Sequence, residues 1–439
     1  MKTVIRPETE MKDSGIEWVE NIPKNWRLRK INSLFETIGS GTTPNSNIEE
    51  YYQGMVNWLQ SGDINGTIVK STKKHISNEI ISSTSALTVY KAPFIVIAMY
   101  GASIGNISMV DIDACTNQAC CALVKPIKDI DMQYAFWGLM AAKEELVLSS
   151  RGGGQPNISQ NIIKQLRVPV PYLQEQQAIA DYLDETCSKI DEIIAEAKAS
   201  IDEYKGLKQS VIFEAVTKGL DKNVEFIDSG DEWLGKYPKS YNIGQLSMLS
   251  NIVRGGSPRP AGDPRYYGGN ISFMRISDIT RDDNIYVISC ENTITEEGLT
   301  RTRMIPPNTL LLTNSGATLG VPKINTFKTA FNDGIAAFLD LDKRLNIVYV
   351  YFFLKARTSY FLECASMGMG QPNLNTDIIG RTKIVFPTLV EQQKIVLYLE
   401  DRCGKLNSLI AEKESLINDL EAYKKSLIYE VVTGKRRVV

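Results

Sequence analysis

A single histidine, His75, stands in the 439 residues. That scarcity excludes most imidazole catalysis and most His-built metal centres. The seven cysteines have no ligand spacing: Cys120 and Cys121 are adjacent, Cys115 stands five residues before, and the others are scattered. This reads as reduced thiols of a cytoplasmic protein rather than a disulfide framework or a zinc site. No run approaches the ~18 apolar residues of a membrane span, and Met1 to Glu10 is charged, with no apolar signal core. No membrane contact is expected. An excess of either charge is also missing, with Lys plus Arg at 49 and Asp plus Glu at 51. Any polyanionic partner must therefore be met by a local patch.

Catalytic motifs are missing too. There is no G-x-S-x-G and no H-E-x-x-H. Gly230 to Lys236 has phosphate-loop spacing, but Tyr237 replaces the Mg²⁺-binding hydroxyl, and Asp231 and Glu232 would repel a triphosphate. Asp263-Pro264-Arg265-Tyr266 is one residue from the D-P-P-Y of amino-methyltransferases. Arg265 breaks it, and no G-x-G cofactor motif accompanies it. Asp111 and Asp113 read as exposed turn carboxylates rather than Mg²⁺ ligands. The expectation is a chain with no catalytic residue, metal or cofactor of its own.

What the sequence does have is a repeat. Asp13-Ser14-Gly15-Ile16-Glu17-Trp18 recurs 215 residues on as Asp228-Ser229-Gly230-Asp231-Glu232-Trp233. The same shift maps Tyr51-Tyr52 onto Tyr266-Tyr267, and Gly101-Ala102-Ser103-Ile104-Gly105 onto Gly316-Ala317-Thr318-Leu319-Gly320. One residue more maps Gln155-Pro156-Asn157-Ile158 onto Gln371-Pro372-Asn373-Leu374, and Glu175-Gln176-Gln177 onto Glu391-Gln392-Gln393. Matches in one frame across half the chain indicate duplication of a large unit, far longer than a solenoid repeat.

Each copy has two parts. The first holds short apolar runs, such as Phe94 to Ala98 and Thr309 to Leu312, between Gly, Pro, Asn and Ser punctuation. It reads as a mixed domain of many short strands, with helices at Met132 to Ser149 and Ile347 to Ala365. The second part lacks proline and steps its apolar residues by four and three. Leu183, Ile190, Ile194 and Ile201 mark one seam; Leu399, Leu406, Ile410 and Ile417 mark the other. Each predicts a helix of about 43 residues, roughly 65 Å at 1.5 Å per residue. The two seams offer each other a partner. An antiparallel pair would keep the connection into the second domain short, leave the domains at opposite ends and relate them by a pseudo two-fold axis. Packing of each helix on its own domain is the alternative. Lys208 and Lys424 occupy equivalent seam positions, where a lysine either fixes register or reaches solvent over a buried stem.

If DNA is the partner, positions kept by the repeat would hold the frame, and polar positions that differ inside it would be candidates for reading different bases. Gln60 corresponds to Arg275, Tyr100 to Ser315 and Met99 to Asn314. Gln can pair bidentately with adenine and Arg with guanine, although a strand-end side chain can equally cap the local fold. Gly39 to Thr43, Gly152 to Gly154 and Gly255-Gly256 are loops that would let backbone approach phosphates. Lys73, Lys74, Arg151, Arg254, Arg259, Arg265, Arg301 and Arg303 are candidate phosphate contacts, and also ordinary surface charge. Thr42, Thr43, Ser103, Asn314 and Thr318 complete the candidate DNA-contact set. Gln155-Pro156-Asn157 and Gln371-Pro372-Asn373 are expected in turn and capping roles.

Taken in order, Ser14-Gly15-Ile16-Glu17-Trp18, Ile22-Pro23-Lys24-Asn25-Trp26, Gly41-Thr42-Thr43-Pro44, Ser61-Gly62-Asp63-Ile64, Gly101 to Gly105, Gly154 to Ile158 and the Pro-x-x-x-x-Glu-Gln-Gln entry to each helix resemble the specificity subunits of type I restriction–modification systems. The resemblance spans both halves. It implies a mixed α/β fold class: two globular α+β target-recognition domains joined by two long antiparallel coiled-coil spacer helices, as a pseudo two-fold internal repeat. The corresponding boundaries are a first domain at 1–172, a first spacer helix at 173–219, a second domain at 220–387 and a second spacer helix at 388–439. The family implies recognition of a bipartite, interrupted double-stranded DNA target. It also implies two methyltransferase (modification) subunits and restriction/translocase subunits as partners, with S-adenosylmethionine, ATP and Mg²⁺ bound by those partners. A coiled-coil adaptor that binds no DNA is the competing reading.

Overall fold

The computed structural model describes residues 2–150, 156–316, 318–366 and 374–439. They fall into two compact units: residues 1–197 with 415–439, and residues 198–414. Both expected long helices form, Leu173–Lys218 with 46 residues and Leu389–Val432 with 44. Each unit thus owns a globular domain, the segment of helix that leaves it, and a segment of the other helix.

In the first unit a five-stranded sheet is ordered Phe35–Gly39, Cys120–Pro126, Phe94–Ala98, Ile107–Val110, Ile68–Val69. A three-stranded sheet, Ala114–Thr116, Val56–Leu59, His75–Ile76, lies beside it in sequence. The second unit repeats the plan: Asn251–Arg254, Ile335–Leu339, Leu310–Thr313, Pro322–Asn325, Tyr286–Val287, plus a four-stranded sheet built on Tyr267–Met274 and Thr329–Phe331. Phe94–Ala98 and Leu310–Thr313 are central strands, buried at every residue. Cover on both faces is why they read as unbroken apolar runs rather than alternating ones. The first expected helix is split, as Met132–Ala141 and Lys143–Leu148, whereas Ile347–Ser366 is continuous.

The recurrent Asp-Ser-Gly at the head of each copy is a turn. The N–H of Gly15 donates to Asp13 Oδ1 at 2.8 Å, and that of Ile16 to Ser14 Oγ at 3.1 Å; Gly230 and Asp231 repeat both bonds on Asp228 and Ser229 at the same distances. Gly15 and Gly230 have φ of 68° and 61°, where a side chain would be strained. Asp231 also pairs with Arg357 at 3.1 Å, a buried guanidinium lying 4.6 Å from the centre of the Trp233 ring.

The Glu-Gln-Gln motif is a clamp. Gln176 is fully buried; its amide donates to the carbonyls of Asp129 and Pro171, and its Oε1 accepts from the N–H of Asp131. Gln392 does the same with Arg344, Pro387 and Asn346. Beside each glutamine a buried tyrosine ties the departing helix to the arriving one. The Tyr349 hydroxyl lies 2.8 Å from the carbonyl oxygens of both Val385, in the strand before the second helix, and Val216, at the end of the first. Tyr134 stands likewise between Pro169 at 2.9 Å and Val432 at 3.5 Å.

Within each unit the two helix segments run antiparallel. In the first, Asp191 meets Lys424 at 2.6 Å, while Glu175 and the Gly434 carbonyl share Arg6. In the second, Lys208 meets Asn407 at 2.8 Å, and Glu391 accepts from Tyr241, which packs on Gly219. A shift of 216 carries Asp191–Lys424 onto Asn407–Lys208, so both seam lysines reach across to the facing helix. Of the seam residues, Leu183, Ile190, Ile194, Ile201, Leu399, Leu406 and Ile417 are buried, and Ile410 is half-buried. Where Asn407 lacks the charge of Asp191, Asp283 supplies it, 2.5 Å from Lys208 and 2.5 Å from Lys355.

Two predictions follow from these contacts. Tyr349→Phe leaves buried carbonyls short of a donor and should cost about 1–3 kcal/mol. Tyr134→Phe, with its longer second contact, should cost less. Chemical denaturation of both variants decides this, and an equal or reversed order contradicts the tie. For Asp283, burial opposes ionisation, but Lys355 and Lys208 more than offset it and hold the carboxyl below its ordinary range. A depressed carboxylate stabilises above its unfolded pKa, and that contribution is lost as pH falls through the folded value. The stability gap between wild type and Asp283→Asn should therefore be widest near neutrality and close toward pH 3; a gap independent of pH would refute it.

Candidate nucleic-acid interface

Sheet direction gathers the sequence motifs at one end of each unit. In the first unit Gly39 pairs with Ala122 and Ala98 with Cys120, so the loop after Gly39, the turn after Ala98 and the connection 117–119 leave the same edge. Val56–Leu59 and Ala114–Thr116 are parallel and also end there, Leu59 beside Thr116. Hydrogen bonds lace the loops together. Gly41 N–H donates to Thr116 Oγ1, Thr43 Oγ1 to Gln118 Oε1, Trp58 Nε1 to the Thr42 carbonyl, and Asn106 Nδ2 to the Ile64 carbonyl. Tyr100 bridges to Asn157. Lys73 and Lys74 are exposed just before the strand His75–Ile76, with the Lys74 amine 5.9 Å from the Tyr52 ring centre.

The second unit gathers the same loops. Gly256 N–H donates to the Phe331 carbonyl and to Thr302 Oγ1, and Asn314 N–H to the Gly334 carbonyl. Arg254 Nε donates to the Asp333 carbonyl, and Ser257 Oγ to Asp333 Oδ1 at 2.5 Å. Arg303 pairs with Phe331 in the sheet, and the Arg275 guanidinium lies 5.8 Å from the centre of the Tyr267 ring.

Gln60 and Arg275 sit at matched positions, each just before a short helix, Ser61–Asp63 or Ile276–Thr280. The capping is done by neighbouring aspartates: Asp63 Oδ2 accepts from the Gln60 N–H at 2.9 Å, and Asp278 Oδ2 from the Arg275 N–H at 2.7 Å. The local fold therefore needs Asp63 and Asp278, and leaves the side chains at 60 and 275 free to differ. Sequence reasoning passed over these two aspartates, although their retention at a shift of 215 was the signal. Both Gln60 and Arg275 are half-exposed.

Other candidates are placed differently from expectation. The loop glycines serve internal contacts: a Cβ on Gly41 would overlap the Thr116 carbonyl, one on Gly255 the carbonyls of Phe331 and Asn332, and one on Gly256 the Arg301 carbonyl. Close approach is thus required by the chain itself. Asn314 is fully buried, with neither amide atom partnered, so its side chain is not on the surface. Thr43, Thr318, Arg254, Arg259, Arg265, Arg301 and Arg303 are exposed; Thr42, Tyr100 and Ser103 are half-exposed. Arg265 is held by Asp263 at 2.7 Å. Arg151, Gly152 to Gly154, Gln155 and Gln371-Pro372-Asn373 lie outside the described residues. The helix caps expected in these motifs fall instead on Ser159 and Asn375, whose side chains accept from the N–H groups of Ile162 and Ile378. Those helices, Gln160–Gln165 and Thr376–Arg381, and a strand stand between the motifs and the long helices.

Burial pushes the Cys115 thiol up to about 11 and those of Cys121 and Cys187 to about 12, which removes the nucleophilic thiolate at neutral pH. The Asp113 carboxylate is taken by Lys91 at 2.6 Å and by the Ala92 N–H. Among the described residues no group of three or more His, Cys, Asp or Glu is placed to hold a metal ion, and no helix is long and apolar enough to cross a membrane.

The family described as type I restriction modification DNA specificity domain matches residues 23–203 and again 238–419. The chain belongs to that family. The two matches start 215 residues apart, the shift of the internal repeat. A specificity subunit of the type I restriction enzyme MjaIX from Methanocaldococcus jannaschii is 24 % identical, covering 99 % of this chain and 98 % of its own. The MjaVIII specificity subunit of the same organism is 21 % identical over 95 % and 94 %. Among solved structures, a chain from work on complex assembly and conformational transition of the type I R-M system superposes with a TM-score of 0.72 at 16 % identity, covering 94 % of this chain and 99 % of that one. The HsdS subunit from Thermoanaerobacter tengcongensis gives a TM-score of 0.52 at 15 % identity over 94 % and 98 %. This chain is thus a DNA specificity subunit of two related domains with long helices, and the DNA-free adaptor reading is not favoured.

If internal crowding is what the loop glycines answer, Gly256→Ala should destabilise the subunit by about 1–3 kcal/mol, while Gly62→Ala, with open space around its Cβ position, should cost far less. Comparable losses in chemical denaturation would contradict the assignment.

Proposed function

We propose that this specificity subunit reads a bipartite, interrupted double-stranded DNA target, one half with the loop end of each unit, and is itself non-catalytic. Its long helices would carry two methyltransferase subunits, with restriction/translocase subunits joining that assembly in the cytoplasm. S-adenosylmethionine, ATP and Mg²⁺ would then be bound by those partners. The observation that carries the reading is the pair Gln60 and Arg275. One aspartate-capped frame is built twice, and the side chain it presents differs between copies, as two different half-sites require. Bidentate pairing assigns a guanine to Arg275 and an adenine to Gln60. The remaining loop contacts would set register on the sugar–phosphate backbone without reading sequence.

The test is methylome sequencing of cells carrying this chain with its cognate methyltransferase, against cells with the methyltransferase alone. An interrupted adenine-methylation motif should appear only with this chain. Arg275→Ala should relax preference at one position of one half-site and leave the other half intact. An assembled complex that methylates no new motif would return the chain to the adaptor reading.

A further inference from the structure

The duplication supplies an internal control for charge. A shift of 215 carries Arg254, Arg259, Arg265, Arg275, Arg301 and Arg303 onto Gly39, Pro44, Glu50, Gln60, Ala86 and Thr88. None of the six positions is basic in the first unit. Arg254, Arg259, Arg275, Arg301 and Arg303 lie on the gathered loops of the second or at the strand ends that border them. Arg254 and Arg303 meet at Phe331 to Asp333. Gly256 joins this segment to Arg301-Thr302. Tyr267 reaches from the Arg275 guanidinium to the Pro258 carbonyl beside Arg259.

Nearby acids form an ion pair with only one of the set. Asp263 is spent on Arg265, Asp278 caps the Arg275 backbone, and Asp333 accepts from Ser257. Glu296 and Glu297 are exposed in the first turn of Glu296–Leu299. Among the described residues, Arg265 alone of the six has a carboxylate within 4.0 Å. The other five guanidinium groups form no ion pair within 4.0 Å among those residues, which leaves their donors available, and guanidinium matches phosphate geometry bidentately.

We propose that the two units grip DNA unequally: the second unit supplies most of the phosphate neutralisation, through Arg259, Arg301 and Arg303. The first unit, whose candidate phosphate contacts among the described residues are Lys73 and Lys74, contributes less. This rests on the DNA reading above and adds an asymmetry to it. The subunit would engage first, and on any sequence, through its second domain.

The experiment measures binding of the complex, assembled with its modification subunits, to a duplex lacking the methylated motif, across a salt series. Each lost phosphate contact lowers the slope of log K against log salt by about 0.9, so Arg259→Gln, Arg301→Gln and Arg303→Gln combined should lower it by about 2.7. Lys73→Gln with Lys74→Gln should lower it by less. The triple Arg→Lys variant should keep the wild-type slope, since it keeps the charge. An unchanged slope in the triple Gln variant, or an equal or larger loss in the lysine pair, overturns the asymmetry while leaving DNA recognition standing. A wild-type complex that does not bind duplex DNA at all overturns both.

Discussion

A buried tyrosine hydroxyl facing two carbonyls is the point on which each unit closes. Tyr349 faces Val385, before the helix that leaves its unit, and Val216, at the end of the helix that arrives. Tyr134 repeats the arrangement with Pro169 and Val432. An unsatisfied carbonyl in such a place costs more than the hydrogen bond gains, so the tie selects one docking depth for the arriving helix. The glutamine clamps fix where the departing helix begins. Together they convert two chain-distant helix ends into part of one domain core.

That closure makes the arriving helix part of the core of the unit it enters. The second core cluster includes Ile212, Ala215 and Val216 from the first helix with Ile395, Val396 and Leu399 from the second. A helix seam of this kind is held by apolar burial, but apolar burial is indifferent to small slips. The polar pairs Lys424–Asp191 and Lys208–Asn407 give it a register. Asp283 repairs the second pair, whose partner has lost its charge, by bringing in a carboxylate from the domain.

The loop ends show the complementary logic. Their frame is made from contacts that tolerate little change: glycines pressed on carbonyls, aspartates capping short helices, loops bonded to one another. Upon this frame the positions not needed for folding can vary. Lys323, buried in the sheet of the second unit and bonded to the backbone and carboxylate of Asp282, shows that not every lysine in such a domain is available to a phosphate; its match in the first unit is the buried Ser108.

Sequence alone determined the duplication and the two long helices, because these depend on periodicity and on which residue types are present. The burial of Leu183, Ile190, Leu399 and Leu406 followed from spacing. Gln60 and Arg275 were legible as a matched, divergent pair. Only the tertiary structure decided the rest. Whether Gly256 serves a ligand or its own chain depends on what lies against it, and that neighbour is 45 residues away at Arg301. Whether Asn314 is surface or interior depends on sheet packing, and whether Arg357 is free or paired depends on Asp231, far off in the chain. Local pattern fixes what a segment can form; contacts between segments remote in sequence decide which side chains are left over to act.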